Sequence, residues 1–192
     1  MLDFELIEQG TAHASTVINA LPSCEGNVQV FQKLFPEQLL AELLDYCESA
    51  DWQTAFDAYG ETIKHRQKIC FEHDTVLEVS HMVLENVTDD LSKLFNKQLT
   101  FNGLDLWKDT ENYAIGPHTD NPMFNASLQI YIQNLPYLST VFESTQDYMS
   151  NTWTDTAPGS GYVADNTVGL THWLHGVVPA DYNRYSLHAT WT

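Results

Sequence analysis

Apolar positions recur at two different periods along the chain, and the change falls near residue 100. Before it the helical period dominates. Asn27 to Leu34 reads as a short strand, and Pro36 then opens a helix in which Leu39, Leu40, Leu43, Leu44 and Cys47 share one face. A second helix is expected after Asp74 as N-cap, with Val76, Val79, Val83, Val87, Leu91 and Leu94 in a single apolar stripe ending near Phe95. Both stripes read as core packing. Gln67 to Phe71 reads as a strand, and the adjoining His65, Arg66 and Lys68 as a solvated basic face.

From about Thr100 onward the period shortens to two, and short strands alternate with turn residues, as in an all-β sandwich or barrel. Strands are expected over 100–108, 112–115, 126–133, 140–143, 161–164, 170–178 and 184–191. In the last of these Arg184, Ser186, His188 and Thr190 alternate with Tyr185, Leu187, Ala189 and Trp191, which places a polar set on one face and an apolar set on the other. Ser127, Gln129, Tyr131 and Gln133 alternate in the same way with Leu128, Ile130 and Ile132. A closed barrel can line its cavity with such polar faces. Trp107, Trp173 and Trp191 read as core residues. Residues 144–160, which include Tyr148 and Trp153, are long for a simple connection and read either as a lid or as a disordered excursion.

A length of 192 residues suits one domain, with residues 1–99 giving helical support and first strands and residues 100–192 the chemical β core. Three widely spaced cysteines, Cys24, Cys47 and Cys70, suggest neither a disulfide framework nor a thiolate zinc site. No apolar run approaches a membrane span and the N-terminus lacks the pattern of a signal peptide, so a cytoplasmic protein is expected, with no membrane partner. The net charge of −18 argues against nucleic acid as a partner. It also sets off one cation: from residue 109 to the C-terminus, Arg184 is the only Lys or Arg in 84 positions.

His118 and Asp120 lie two positions apart, and on an extended backbone their side chains point the same way, so they can share a metal. His175 is the favoured third ligand, with His172 as the alternative. Two histidines and one carboxylate form the facial triad of non-haem Fe(II) enzymes, and zinc hydrolysis can use a similar set. Arg184 follows His175 by nine residues and Ser186 by eleven, across the turn-like segment Pro179 to Asn183. A guanidinium with a neighbouring hydroxyl suits a carboxylate, because its planar fork meets both oxygens and keeps its charge when desolvated.

This set, with the flanking segments HTDNP, LQIYIQN and HGVVPADYNRYSL, resembles the 2-oxoglutarate and Fe(II)-dependent oxygenase superfamily, nearest in motif to its prolyl hydroxylase branch. The resemblance covers residues 100–192. It implies a mainly β fold with supporting α-helices, the double-stranded β-helix or cupin-like jelly roll. Fe(II), 2-oxoglutarate and O2 are the implied cofactors and co-substrates, with succinate and CO2 released as a substrate C–H bond is hydroxylated. It makes His118, Asp120 and His175 the metal ligands, Arg184 the partner of the distal co-substrate carboxylate, and Tyr131 and Ser186 further contacts there. The substrate is expected to be a peptidyl residue such as proline, or a small metabolite. The carboxylate at Asp120 disfavours halogenating relatives, and the lack of a second arginine in RYSLHATWT disfavours nucleic-acid demethylation. A cupin-like binding protein without oxygen chemistry is the rival reading.

Overall fold

The structure, a computed structural model, describes residues 2–57, 59–69, 73, 75–133, 137–144 and 151–192. Among the described residues four helices, α1 (Phe4–Asn19), α2 (Glu37–Ser49), α3 (Val76–Asn86) and α4 (Thr88–Phe95), lie in the first half. The strands are β1 (Val28–Phe31), β2 (Gln53–Phe56), β3 (Thr62–Ile69), β4 (Phe101–Asp109), β5 (Ala126–Tyr131), β6 (Ser139–Phe142), β7 (Thr152–Trp153), β8 (Gly161–Asp165), β9 (His172–His175) and β10 (Arg184–Trp191). They form a seven-stranded sheet in the order β1-β8-β5-β10-β4-β3-β2 and a three-stranded sheet in the order β7-β6-β9. Every ladder is antiparallel.

Alternation within the strands decides what each face of the larger sheet meets. Leu128 and Ile130 of β5, and Tyr185, Leu187, Ala189 and Trp191 of β10, join the apolar faces of all four helices in one core. The helices therefore cover one face of that sheet. The opposite face carries Arg184, Ser186 and His188 in register with Asp109, Trp107 and Asp105 of β4. Its polar side chains form one wall of a cavity.

The first half departs from the sequence expectation in four places. Helix α1 was not expected: its buried positions include only Gly10 and Ala14 between Leu6, Ile7 and Ile18, so its apolar stripe is faint. Gly10 is there because a Cβ would stand 2.8 Å from Val83 Cγ2, and its absence lets α1 lie close against α3. The single stripe from Val76 to Leu94 is two helices, parted at Val87, where Trp191 Nε1 donates to Thr88 Oγ1 at 3.0 Å. Thr75 rather than Asp74 caps α3, accepting from Leu77 N; Asp74 itself lies outside the described residues. Strand β3 begins at Thr62 and pairs with the unexpected β2, while Phe71 falls outside the described residues. Among the described residues no helix is long and apolar enough to cross a membrane.

Candidate active site

Residues 112–118 form no regular strand, yet they run antiparallel to β9 and its continuation. Asn112 N donates to Val178 O, Val178 N to Tyr113 O, and Leu174 N to Ile115 O. The pairing ends in a reciprocal bridge, His118 N to His172 O at 2.9 Å and His172 N to His118 O at 2.8 Å. Residues directly opposite in an antiparallel pair project side chains to the same face. The two imidazoles accordingly lie with ring centroids 4.3 Å apart. Asp120 Oδ1 is 3.5 Å from His172 Nε2, and one ligand atom from each of His118, Asp120 and His172 lies within 4.8 Å of the others.

Each imidazole is held by a backbone carbonyl two residues earlier: His118 Nδ1 lies 2.9 Å from Gly116 O, and His172 Nδ1 lies 3.1 Å from Leu170 O. Such contacts place the ring proton on Nδ1 and leave the Nε2 lone pair for a metal. Burial also lowers the His172 pKa, with Asp120 acting against it more weakly, which favours the neutral ligand form. Ser127 Oγ stands 3.3 Å from Asp120 Oδ2 and 3.1 Å from Asn166 Oδ1, so its one proton is shared between the two acceptors. Facial ligands on metal bonds of about 2.1 Å stand about 3 Å apart, so a bound ion would draw the set inward.

The histidine brought to His118 and Asp120 is therefore His172 and not His175. The cause is strand parity. His172 and Leu174 share the buried face of β9, whereas His175, three residues on, is exposed and meets the Trp153 ring at a centroid distance of 4.9 Å. The nine-residue interval that favoured His175 does match the loop 176–183 between β9 and β10, but it says nothing of which face of β9 each imidazole occupies.

At the other end of the same cavity, of about 140 Å³, stands Arg184. It is 2 % exposed, and its Nη1 donates to Asp109 Oδ2 at 2.7 Å. Burial opposes the Arg184 cation, but Asp109, Tyr131 and Tyr113 together outweigh it and raise the pKa above its ordinary value. Among the described residues Arg184 Nε is buried without a partner, as is the Tyr113 hydroxyl, and both residues line the cavity. Burial pushes the Tyr113 phenol up to about 12, so it remains a hydrogen-bond donor. Two orphaned donors in one small cavity point to an acceptor-rich ligand.

Arg66 also lines this cavity and does not lie on a solvated face; its guanidinium grips Asp109 through Nε to Oδ1 at 2.6 Å and Nη2 to Oδ2 at 3.0 Å. Arg184 is thus not the only side-chain cation available to a ligand. Tyr131 places its ring 5.1 Å from the Arg184 guanidinium carbon, while its hydroxyl lies 2.6 Å from Thr140 Oγ1 and 3.1 Å from Thr154 Oγ1. Ser186 is fully buried and accepts from Gln129 Nε2 at 3.0 Å. Trp107 and Trp173, expected in the core, line the cavity instead, and only Trp191 is fully buried. His188 lines the cavity too, and burial lowers its pKa. Residues 145–150, including Tyr148, lie outside the described residues.

No protein-family model matches the chain, and no curated protein matches it in sequence. Solved structures do match its fold. A prolyl hydroxylase from Trichoplax adhaerens, in complex with a hypoxia inducible factor oxygen degradation domain peptide fragment, superposes with a TM-score of 0.63 at 9% identity, over 100% of this chain and 94% of its own. An oxidoreductase of the 2OG-Fe(II) oxygenase family from Burkholderia pseudomallei gives 0.63 at 15% identity, over 96% and 92% of the two chains. HygX from Streptomyces hygroscopicus, with nickel, 2-oxoglutarate and hygromycin B bound, gives 0.63 at 9% identity, over 88% and 83%. The fold of this chain is the double-stranded β-helix of the 2-oxoglutarate and Fe(II)-dependent oxygenases.

Proposed function

We propose that the protein is a non-haem iron(II) oxygenase that uses 2-oxoglutarate and O2, with His118, Asp120 and His172 as metal ligands in place of the set containing His175. One observation carries this reading: a convergent pair of imidazoles and a carboxylate share a cavity with a buried arginine that has an unspent donor. Two neutral imidazoles and a carboxylate suit a divalent first-row metal. Arg184 Nε and the Tyr113 hydroxyl suit a carboxylate. Iron bound there would supply the redox chemistry that couples decarboxylation of 2-oxoglutarate, with release of succinate and CO2, to oxidation of a substrate C–H bond.

The remaining roles belong to this chain's own side chains. Arg184 fixes the distal carboxylate of the co-substrate, and Tyr113 adds a second donor. Tyr131 supports the guanidinium from below through its ring, and Ser186 holds Gln129, so both act by positioning. Trp107, Trp173 and Ile115 limit water in the cavity. The prime substrate is a peptidyl residue such as proline, or a small metabolite; the matched folds include a protein solved with a peptide and one solved with hygromycin B. The net charge of −18 disfavours nucleic acid. The free, buried thiols of Cys24 and Cys47 agree with a cytoplasmic location.

The test is proton NMR of aerobic mixtures of protein, iron(II), ascorbate and 2-oxoglutarate. Slow iron-dependent formation of succinate, absent in Arg184→Met, is expected. Succinate formation that is independent of iron, or untouched by Arg184→Met, overturns the proposal.

A further inference from the structure

We propose that Arg66 and Asp109 are positioning residues that set the charge of the cavity's carboxylate-binding end, with Arg66 present to cancel Asp109 so that Arg184 keeps one net positive charge for a dicarboxylate. The inference rests on the function proposed above and names the residues that tune its co-substrate end.

The three side chains stand in one row across three strands. Asp109 of β4 is directly opposite Arg184 of β10 on one side and Arg66 of β3 on the other. Its carboxylate is completely buried and meets three donors, two from Arg66 and one from Arg184. Alone, Asp109 would neutralise Arg184 and leave this end without charge to offer a ligand. Arg66 restores it: two guanidinium groups and one carboxylate sum to a single positive charge. A divalent ion with Asp120 and two neutral imidazoles contributes another, and together they match a dianion.

Arg66 is also held, in contrast to a surface arginine free to swing. Its guanidinium carbon lies 4.9 Å from the Trp107 ring centroid and 4.4 Å from that of Tyr113, and its side chain is only 16% exposed. The backbone bends to bring it there. His65 sits inside β3 at φ 61°, the left-handed region, and the β2–β3 register shifts between Thr54 and Phe56. A bulge of this kind redirects the following side chain. Strain at a non-glycine residue next to a cavity-lining arginine agrees with a functional placement.

The test measures 2-oxoglutarate binding to the Mn(II)-loaded protein by calorimetry, with pyruvate as a keto acid that lacks the distal carboxylate. Thermal melts confirm that each variant is folded. Loss of one unit charge beside the carboxylate-binding end, in an effective dielectric near 20, makes Arg66→Gln weaken 2-oxoglutarate binding by roughly 10- to 50-fold. Pyruvate binding should change little. Asp109→Asn, which keeps a hydrogen-bond acceptor for Arg184, should bind 2-oxoglutarate at least as well as the parent. The double variant Arg66→Gln/Asp109→Asn restores the single charge and should recover most of the lost affinity. A double variant as weak as Arg66→Gln alone, or equal losses for pyruvate, overturns the inference and leaves the row purely structural. If the unsubstituted protein binds Mn(II) but neither keto acid, the oxygenase reading itself fails.

Discussion

Replacing His172 by alanine removes a buried imidazole whose Nε2 lies 3.5 Å from Asp120 Oδ1, whereas replacing His175 removes an exposed ring packed against Trp153. The two substitutions separate the geometry from the spacing argument in the sequence. Losing a group that merely orients a metal ligand costs about 10- to 100-fold in affinity, so losing a ligand outright should cost at least about 100-fold, or roughly 2.7 kcal/mol. His175→Ala should leave metal affinity within about threefold of the parent. Its edge-on contact with Trp153 is worth about 0.5 kcal/mol at the low end for aromatic pairs, which at this chain length shifts the melting temperature by roughly 1 to 2 °C. The assay is titration with Co(II), read by visible absorption, beside a thermal melt of each apo-protein. Folding of His172→Ala is safeguarded because the His118–His172 bridge is made by backbone atoms and survives the substitution. Equal losses of Co(II) affinity in both variants, or a loss confined to His175→Ala, would refute the assignment.

Three further outcomes are expected. Ser127→Ala removes the hydroxyl 3.3 Å from Asp120 Oδ2, and at that length the loss of metal affinity should lie near about 10-fold, measured by the same Co(II) titration; an unchanged affinity would remove Ser127 from the account. Burial pushes the Cys24 and Cys47 thiols up to about 12, so at pH 8 neither should be alkylated before unfolding, as read by peptide mass spectrometry; rapid native-state labelling of either contradicts their burial. Lys97→Met strands the Asp165 carboxylate, 1% exposed, and should cost about 2 to 4 kcal/mol in urea melts at pH 7. Burial alone would raise the Asp165 pKa, but Lys97, Thr167 and the Gly26 N–H outweigh it and hold it below the ordinary value. Its contribution is therefore complete above about pH 3.9 and lost as pH falls through the lower folded value, where the cost of Lys97→Met should shrink; a cost that grows on acidification would refute the sign.

The parts of the site legible in the sequence are those set by local period. The alternation of Arg184, Ser186 and His188 against Tyr185, Leu187 and Ala189 is a property of one strand, and β10 spans the expected residues 184–191. His118 and Asp120 are close in sequence, and the structure brings them together. The choice between His172 and His175 was not legible, because THWLH offers a histidine and an apolar residue to each face and parity cannot say which face is buried. Separation from Arg184 pointed to His175, and a spacing along the chain carries no information on which face of β9 is buried. Arg66 was hidden differently. It meets Asp109 43 positions away through the β3–β4 pairing, and its neighbours His65 and Lys68 made it look like part of a solvated cluster. Helix α1 escaped because Gly10 and Ala14 occupy its inward face, where close packing needs small residues that carry little hydrophobic signal.

In the proposed function His118, Asp120 and His172 present a metal to a keto acid anchored by Arg184. Anaerobic titration of the iron(II)-loaded protein with 2-oxoglutarate, followed through the weak visible charge-transfer absorption of a chelated keto acid and with succinate as control, tests it most directly. The expected result is a saturable band that persists in His175→Ala, weakens in Arg184→Met and disappears in His172→Ala. Iron binding with no band in the unsubstituted protein, or a band lost in His175→Ala and kept in His172→Ala, would contradict it.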